Sequence, residues 1–491
     1  MPITKPDQPN FLLICTDHWS DIFTRPGGHD VVMTPTLDQL ARSGTRYSRA
    51  YSACPSCIPS RKSLMTGMRA RTHGDRVYRD KVPLPDDVTT LPQCFRGAGY
   101  QSVAVGKLHT WPQRDRIGFD EVILEDQGRH QYHDVAEGDC DDYELYLMEQ
   151  GYTGEEFASG MPTNDWISRA WQLPEKHHQI NWAAREMCKT IRRRDPRKPG
   201  FWYLSFSAPH PPVVPPQAYL DLYRDVEIDR PVVGEWASNF DDLPWFMKNR
   251  TYPSALHGSP PEHEIRLARQ AFYATLTQID HQIRTVIGYL REAELLKNTY
   301  IIFTSDHGHM VGEHNMWCMT PFYEASAKIP LIIVPADGDE RIGVGVEDDR
   351  FAEFADIMPT LLDLAGIPIL EQVDQMSLIG EDKRDYIYGE HGESNQAQRM
   401  IRKDRLKLIY YPVGNQSQLF DLEADPRETN DLAGDPHHSD DLASLQQLLI
   451  ENIWGSDLEW IKDGKLVGLP AIEFKPPSPK QLTGQRGIRF P

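Results

Sequence analysis

The sequence predicts an α/β fold, with a largely parallel central sheet flanked by helices and a smaller C-terminal α+β subdomain. Three observations predict it. Short apolar runs alternate with stretches of helical period. Those runs end in polar or charged residues, as buried parallel strands do when they deliver side chains to one edge of a sheet. After about Arg384 the texture changes to segments that read as antiparallel strands.

The elements follow in order. Asn10 to Thr16 (NFLLICT) is a buried strand that ends in Asp17 and His18. Thr36 to Ser43 is a helix, with Pro35 near its start and Gly44 after it. Ser60 to Thr66 is a short helix closed by Gly67. Gln101 to Val105 is a second strand, followed by Gly106 and Lys107. Phe201 to Ser207 is a third, ending at Pro209 and His210. Glu264 to Leu295 carries apolar residues at helical spacing and is a long helix. Tyr300 to Ser305 is a fourth strand, ending at Asp306 and His307, and Ile329 to Val334 is a fifth. Phe354 to Leu364 is a helix despite Pro359. Tyr386 to Tyr388 and Arg405 to Tyr411 are antiparallel strands, and a helix runs from about Asp440 to Trp454. The expected division is a catalytic domain over residues 1–384 and a subdomain over 385–491. From Phe474 the chain is either an ordered arm reaching another subunit or a loose tail. Residues 118–198 read as insertions over the site, in which His130, His133, His177 and His178 are expected to be solvated.

Because Asp17, Lys107, His210 and Asp306 all follow the C-terminal ends of apolar strands, four distant segments are expected to meet at one site. Composition narrows what that site does. The 491 residues are 40% hydrophobic and 25% charged, a globular balance, with a formal net charge of −20. That excess of acid argues against nucleic acid and anionic membranes as partners. No apolar run approaches a membrane span. The segment from Met1 to Asn10 has no basic start followed by an apolar stretch, so no secretory signal is expected. Seven cysteines at low density do not suggest a disulfide framework, and the cytoplasm is the expected compartment.

The strongest motif is Cys57-Ile58-Pro59-Ser60-Arg61, leading into a helix that ends in Thr66-Gly67. Read alone, Cys54 and Cys57 form C-x-x-C, a redox pair or half a zinc site, or Cys57 is a buried structural cysteine. A second C-x-x-C is lacking, and Pro-Ser-Arg has no role in a redox motif. The segment resembles the sulfatase signature of the alkaline-phosphatase superfamily. Gly106-Lys107-Leu108-His109, Pro209-His210-Pro211-Pro212 and Asp306-His307-Gly308 through Tyr323-Glu324 resemble further segments of that family. So do Asp356 to Gly366 and LFDLEADPRETNDLAGDP. The resemblance spans Asn10 to about Pro436.

This resemblance implies an alkaline-phosphatase-like fold and hydrolysis of a sulfate ester. It implies that Cys57 is oxidised to formylglycine by a formylglycine-generating enzyme, and that Arg61 holds the hydrated aldehyde. It implies that Lys107 and His210 bind sulfate, that His210 protonates the leaving group, and that His109 assists sulfate release. Asp17, Asp306 and His307, with the group at Cys57, are implied ligands of one divalent ion. Calcium is expected, with magnesium, manganese or zinc as alternatives. Without the signature, each strand-terminal Asp would read as a cap, Lys107 as a surface residue and His210 as part of a rigid proline-rich loop.

Two departures stand out. His18 occupies a position where relatives carry Asp, Asn or Gln; it either replaces an oxygen ligand or lies outside the metal shell. Met319 stands where relatives usually place a sulfate-binding lysine. His309, His314 or Lys328 could compensate, although Lys328 equally reads as a structural residue before the next strand. The expected substrate is a small sulfated organic molecule, and the expected assembly a homo-oligomer. The rival readings are a phosphonate monoester hydrolase or phosphodiesterase of the same superfamily, and a non-catalytic metal and anion binder.

Overall fold

The computed structural model describes residues 8–126, 140–161, 168–248, 260–317 and 319–475. Eight strands form the central sheet, in the order β4-β3-β5-β1-β6-β7-β2-β8. They are β1 (Asn10–Thr16), β2 (Thr45–Tyr51), β3 (Gln101–Gly106), β4 (Glu121–Leu124), β5 (Gly200–Ser205), β6 (Thr299–Ser305), β7 (Leu331–Val334) and β8 (Val346–Glu353). Among these, β7 runs antiparallel to both neighbours, while the other pairings are parallel. The largely parallel sheet is therefore as the sequence predicts. β1 and β6 are buried at every position, which is what a sheet covered on both faces requires.

Strands β2, β4 and β8 were not anticipated. Each lies away from the centre of the sheet; β2 and β8 lack a continuous apolar run, and that of β4 is only three residues long. β8 (VEDDRFAE) exposes its charged half, which blunts a free sheet edge.

Helices cover both faces: α1 (Pro35–Ser43), α2 (Cys57–Thr66), α3 (Leu91–Gly97), α4 (Asp142–Glu149), α5 (Gln179–Arg193), α6 (Glu262–Glu292) and α7 (Ile357–Leu364). α2 starts three residues earlier than the sequence suggested, which places Cys57 in its first turn. α5 corrects the reading of 118–198 as insertions only. Its Ile180, Trp182, Ala183, Met187 and Ile191 are buried in the main core, so it is a structural helix on the crossover from β4 to β5. His177 and His178 are each 2% exposed, not solvated. His178 caps α5, its Nδ1 accepting the Ile180 N–H at 3.2 Å. His130 and His133 lie outside the described residues.

The C-terminal part forms a second, antiparallel sheet of order β12-β11-β10-β9. Its strands are β9 (Tyr386–His391), β10 (Gln398–Lys403), β11 (Leu406–Tyr411) and β12 (Gln416–Asp421), and α8 (Ser439–Asn452) packs against it. Tyr388, Ile401, Leu408, Leu419, Leu445, Leu449 and Trp460 give it a core of its own. Phe474 packs its ring on Phe240 at 5.5 Å. Residues 476–491 of the predicted arm lie outside the described residues. No helix of the described residues is long and apolar enough to cross a membrane.

Candidate active site

Strands β3, β5, β1 and β6 are consecutive in the sheet, so their C-terminal ends lie side by side. The register aligns Gly106 and Cys15 with Ser205, and Thr16 with Ser305. Each next residue extends the ladder: Lys107 N–H donates to Ser205 at 2.9 Å, and Asp306 N–H to Thr16 at 3.1 Å. Asp17, Lys107 and Asp306 are thus set by backbone pairing. Gly106 has φ +98°, and a Cβ there would sit 1.8 Å from the Ser205 carbonyl oxygen. Only glycine lets β3 turn Lys107 into the site at that distance.

α2 delivers Cys57 to the same edge and is buried along nearly its whole length. Ser60 Oγ donates to the Asp306 carbonyl at 2.7 Å. Arg61 locks the helix down: Nε donates to Asp306 Oδ2 at 2.8 Å, and Nη1 to Ser205 Oγ at 2.8 Å, the Lys107 carbonyl at 3.0 Å and Tyr203 Oη at 3.1 Å. Its Nη2 has no hydrogen-bond partner among the described residues. The sequence reading missed Tyr203 and Ser205; their signal is the two-residue spacing that puts both on one face of β5.

Cys57 Sγ lies 3.2 Å from His307 Nε2 and 3.6 Å from Asp17 Oδ1. Candidate ligand atoms of Asp17, His18, Cys57 and His307 all fall within 4.8 Å of one another. Lys107 Nζ pairs directly with Asp17 Oδ2. Asp306 is not in that quartet. Its carboxylate takes Arg61 on one oxygen and the His307 N–H on the other.

His18 has φ +66°, which turns its ring back over the site. The ring centroid is 4.4 Å from that of His210, 4.7 Å from His307 and 5.2 Å from His309. His18 is fully buried, and neither ring nitrogen has a hydrogen-bond partner among the described residues. Its Nε2 lies 3.5 Å from Asp17 Oδ1 without a hydrogen bond; a buried imidazole that makes none costs free energy unless something binds it, and a divalent ion fits that need. His210 Nδ1 donates to the Pro211 carbonyl at 2.6 Å, which fixes its tautomer and directs proton exchange to Nε2. His109 Nε2 meets Tyr78 Oη at 3.3 Å.

Two predicted substrate contacts fall elsewhere. His314 is buried between Trp236 and Tyr323, its Nδ1 accepting the Gly234 N–H at 3.2 Å. Lys328 Nζ lies 3.6 Å from Asp21 and 3.9 Å from Glu324, so its charge is held by carboxylates. Met319 is half-buried and brings no charge.

The electrostatics suit ligation. Burial would raise Asp17, yet Lys107 and the neighbouring imidazoles hold it well below the usual carboxylate range. Burial keeps His18 neutral, with its pKa well below the ordinary value, and pushes His309 down to about 3. Burial, then the Asp17 charge, keeps the Cys57 thiol protonated. A redox cysteine needs the opposite, a thiol that ionises easily. Cys54 and Cys57 are both free thiols.

A sulfatase family model matches residues 9–367, and one described as the C-terminal part of N-sulphoglucosamine sulphohydrolase matches residues 312–454. The chain is 34% identical to an arylsulfatase of Clostridium perfringens, over 95% of this chain and 99% of that one. It is 28% identical to a choline-sulfatase of Rhizobium meliloti, over 87% and 82% of the two chains. In fold it resembles a phosphonate monoester hydrolase from Silicibacter pomeroyi, with a TM-score of 0.76 at 23% identity, over 93% of this chain and 96% of the other. This chain belongs to the sulfatase family.

Proposed function

We propose that this chain, a sulfuric ester hydrolase, acts on a small sulfated molecule through formylglycine made from Cys57 and one divalent ion. The observation that carries the mechanism is the placement of Cys57. It is a buried, protonated thiol in the first turn of α2, set against His307 and Asp17. As a thiol it is a weak nucleophile there. As formylglycine, made by a formylglycine-generating enzyme, it would present a hydrated aldehyde: one hydroxyl attacks sulfur, and the other lets the adduct expel sulfate and return to aldehyde. The divalent ion, when bound, supplies Lewis-acid polarisation of a sulfate oxygen.

The chain's own residues take the remaining roles. Asp17, His18 and His307 would hold the ion beside the side chain of residue 57. Two imidazole donors shift the preference from calcium toward manganese or zinc. Lys107 places a positive charge at Asp17, where a sulfate oxygen binds. Arg61 Nη2 holds an oxygen of residue 57. Asp306, which burial and Asp17 make more basic than a usual carboxylate, accepts the proton of the attacking hydroxyl. His210 gives a proton from Nε2 to the departing alcohol, and His109 takes one from the second hydroxyl as sulfate leaves. Water then rehydrates the aldehyde.

Met319 does not separate this reading from a second one, a phosphonate monoester hydrolase or phosphodiesterase. A pocket short of one cation suits a singly charged phosphonate monoester or phosphate diester as well as a sulfate monoester. Peptide mass spectrometry across Cys57, with sulfate and phosphonate release from nitrophenyl esters, tests both. An aldehyde mass with faster sulfate release is expected. An aldehyde with faster phosphonate or diester cleavage replaces the substrate class. An unmodified thiol after co-expression with the maturation enzyme, with no turnover, overturns the mechanism.

A further inference from the structure

The motif LFDLEADPRETNDL lies far from the catalytic residues in sequence, and the mechanism above does not use it. The structure gives its Glu428 specific partners. Glu428 Oε1 lies 2.7 Å from Lys407 Nζ, and Oε2 accepts the Glu324 N–H at 2.7 Å. Lys407, on β11, is fully buried; its Nζ also lies 2.6 Å from Glu324 Oε1 and donates to the Phe322 carbonyl at 2.9 Å. Tyr51 Oη, at the end of β2, donates to the other Glu324 oxygen at 3.2 Å.

Glu324 opens a helix of only four residues, Glu324–Ala327. One turn has no stability of its own, because nucleation fixes several dihedrals for a single hydrogen bond. Its position is therefore set by what grips it. The carbonyls of this turn hold the loops of the proposed metal ligands. Ser20 Oγ, two residues after His18, lies 3.0 Å from the Glu324 carbonyl oxygen and 2.9 Å from that of Lys328. Asp21 N–H donates to the Lys328 carbonyl at 3.2 Å. Gly308 N–H, next to His307, donates to the Ser326 carbonyl at 2.7 Å. A Cβ on Gly308 would come within 2.2 Å of the Ala325 carbonyl oxygen, so loop and turn touch along the backbone. Ser52 N–H, on the approach to Cys57, donates to the Ala327 carbonyl at 2.8 Å.

We propose that Lys407 and Glu428 are positioning residues of the metal site: from the C-terminal sheet and the loop beyond it, they hold the Glu324–Ala327 turn, which sets the loops of Asp17–His18 and His307. This rests on the sulfatase reading of those loops. Partners of metal ligands tune affinity as well as orientation, typically by about 10- to 100-fold. The clasp acts one step further out.

The test uses the full chain, freed of metal, with Mn²⁺ and Ca²⁺ titrated calorimetrically into wild type, Glu428→Gln, Lys407→Met and Asp457→Asn. Glu428→Gln keeps the shape of the side chain and removes its charge, so it is the variant most able to fold. Hydrogen exchange of the peptides containing Asp21 and Gly308 is followed in the same samples. The expected result is about 10-fold weaker metal binding and faster exchange of those peptides in Glu428→Gln and Lys407→Met. Asp457→Asn, in a different buried cluster, keeps wild-type affinity. A folded Glu428→Gln with affinity within about twofold of wild type and unchanged exchange overturns the proposal alone. Wild type that binds neither ion overturns the metal-site reading and this proposal with it.

Discussion

Two clusters of buried charge sit in this molecule, and they differ in what they leave unpaired. In the C-terminal cluster, Asp457 accepts from Arg76 on both oxygens, at 2.7 and 3.0 Å, and from Arg399 Nε at 3.0 Å. Trp454 and Trp460 cover the two guanidiniums. Charge there is matched by charge, and the cluster joins β9, β10 and the loop after α8 to the segment around Arg76. At the sheet edge, Asp17 is paired with Lys107, but the imidazole of His18 and one nitrogen of Arg61 are buried without hydrogen-bond partners. The cluster that serves stability pairs every guanidinium with a carboxylate, although Arg76 Nε and Trp460 Nε1 make no hydrogen bond among the described residues. The cluster that serves chemistry leaves a whole imidazole open for a ligand, at a cost in folding free energy.

Substitutions should separate the two. The largest effect is expected from Cys57→Ala, which should lower turnover roughly 10⁴-fold or more while the circular dichroism spectrum and unfolding midpoint hold. An unchanged rate would sink the mechanism. Asp457→Ala should do the reverse. It leaves the buried Arg399 guanidinium without its carboxylate and Arg76 with only Glu390, 3.5 Å away, and Glu393, 3.9 Å away, and should cost about 3–5 kcal/mol in denaturant unfolding with metal affinity intact. On the proposed ligand set, His18→Leu should weaken metal binding at least about 100-fold, since it removes a direct ligand and, unlike Gln, offers no oxygen in its place. It should change the stability of the metal-free protein by less than about 1 kcal/mol, because the imidazole makes no hydrogen bond to lose. Equal metal affinity in that variant would put His18 outside the shell.

The smallest effect concerns pH. Burial, helped by neighbouring carboxylates, pushes Asp141 and Glu144 each up to about 7. Their folded pKa values lie above the unfolded ones, so the folded state holds more protons in between. The resulting stability is complete below the unfolded values and is lost as pH rises through about 7. The unfolding midpoint should therefore fall between pH 5.5 and 8. Glu144→Gln should flatten that fall, and an unaltered slope would assign it to other groups.

The sequence alone placed β1, β3, β5 and β6, because their apolar runs are continuous and end in chemistry-bearing residues. It also marked Cys57, Arg61, Lys107, His109 and His210, because motif spacing survives without coordinates. It could not rank residues whose role depends on what they face. His314 and Lys328 looked like compensating cations, yet the fold spends one on packing against Trp236 and the other on carboxylates. β2 and β8 were hidden because edge and near-edge strands need no apolar run.

What the sequence determined by itself was the succession of the apolar central strands along the chain and the kinds of residue at their ends, since both follow from local periodicity and composition. Only the tertiary structure decided which of those residues meet. It left His18 without a hydrogen-bond partner, tied Asp306 to Arg61, and brought Glu428 and Lys407 from the far end of the chain against the turn at Glu324. Such pairings join residues scores of positions apart. They are set by the order of strands in the sheet, which no local pattern encodes.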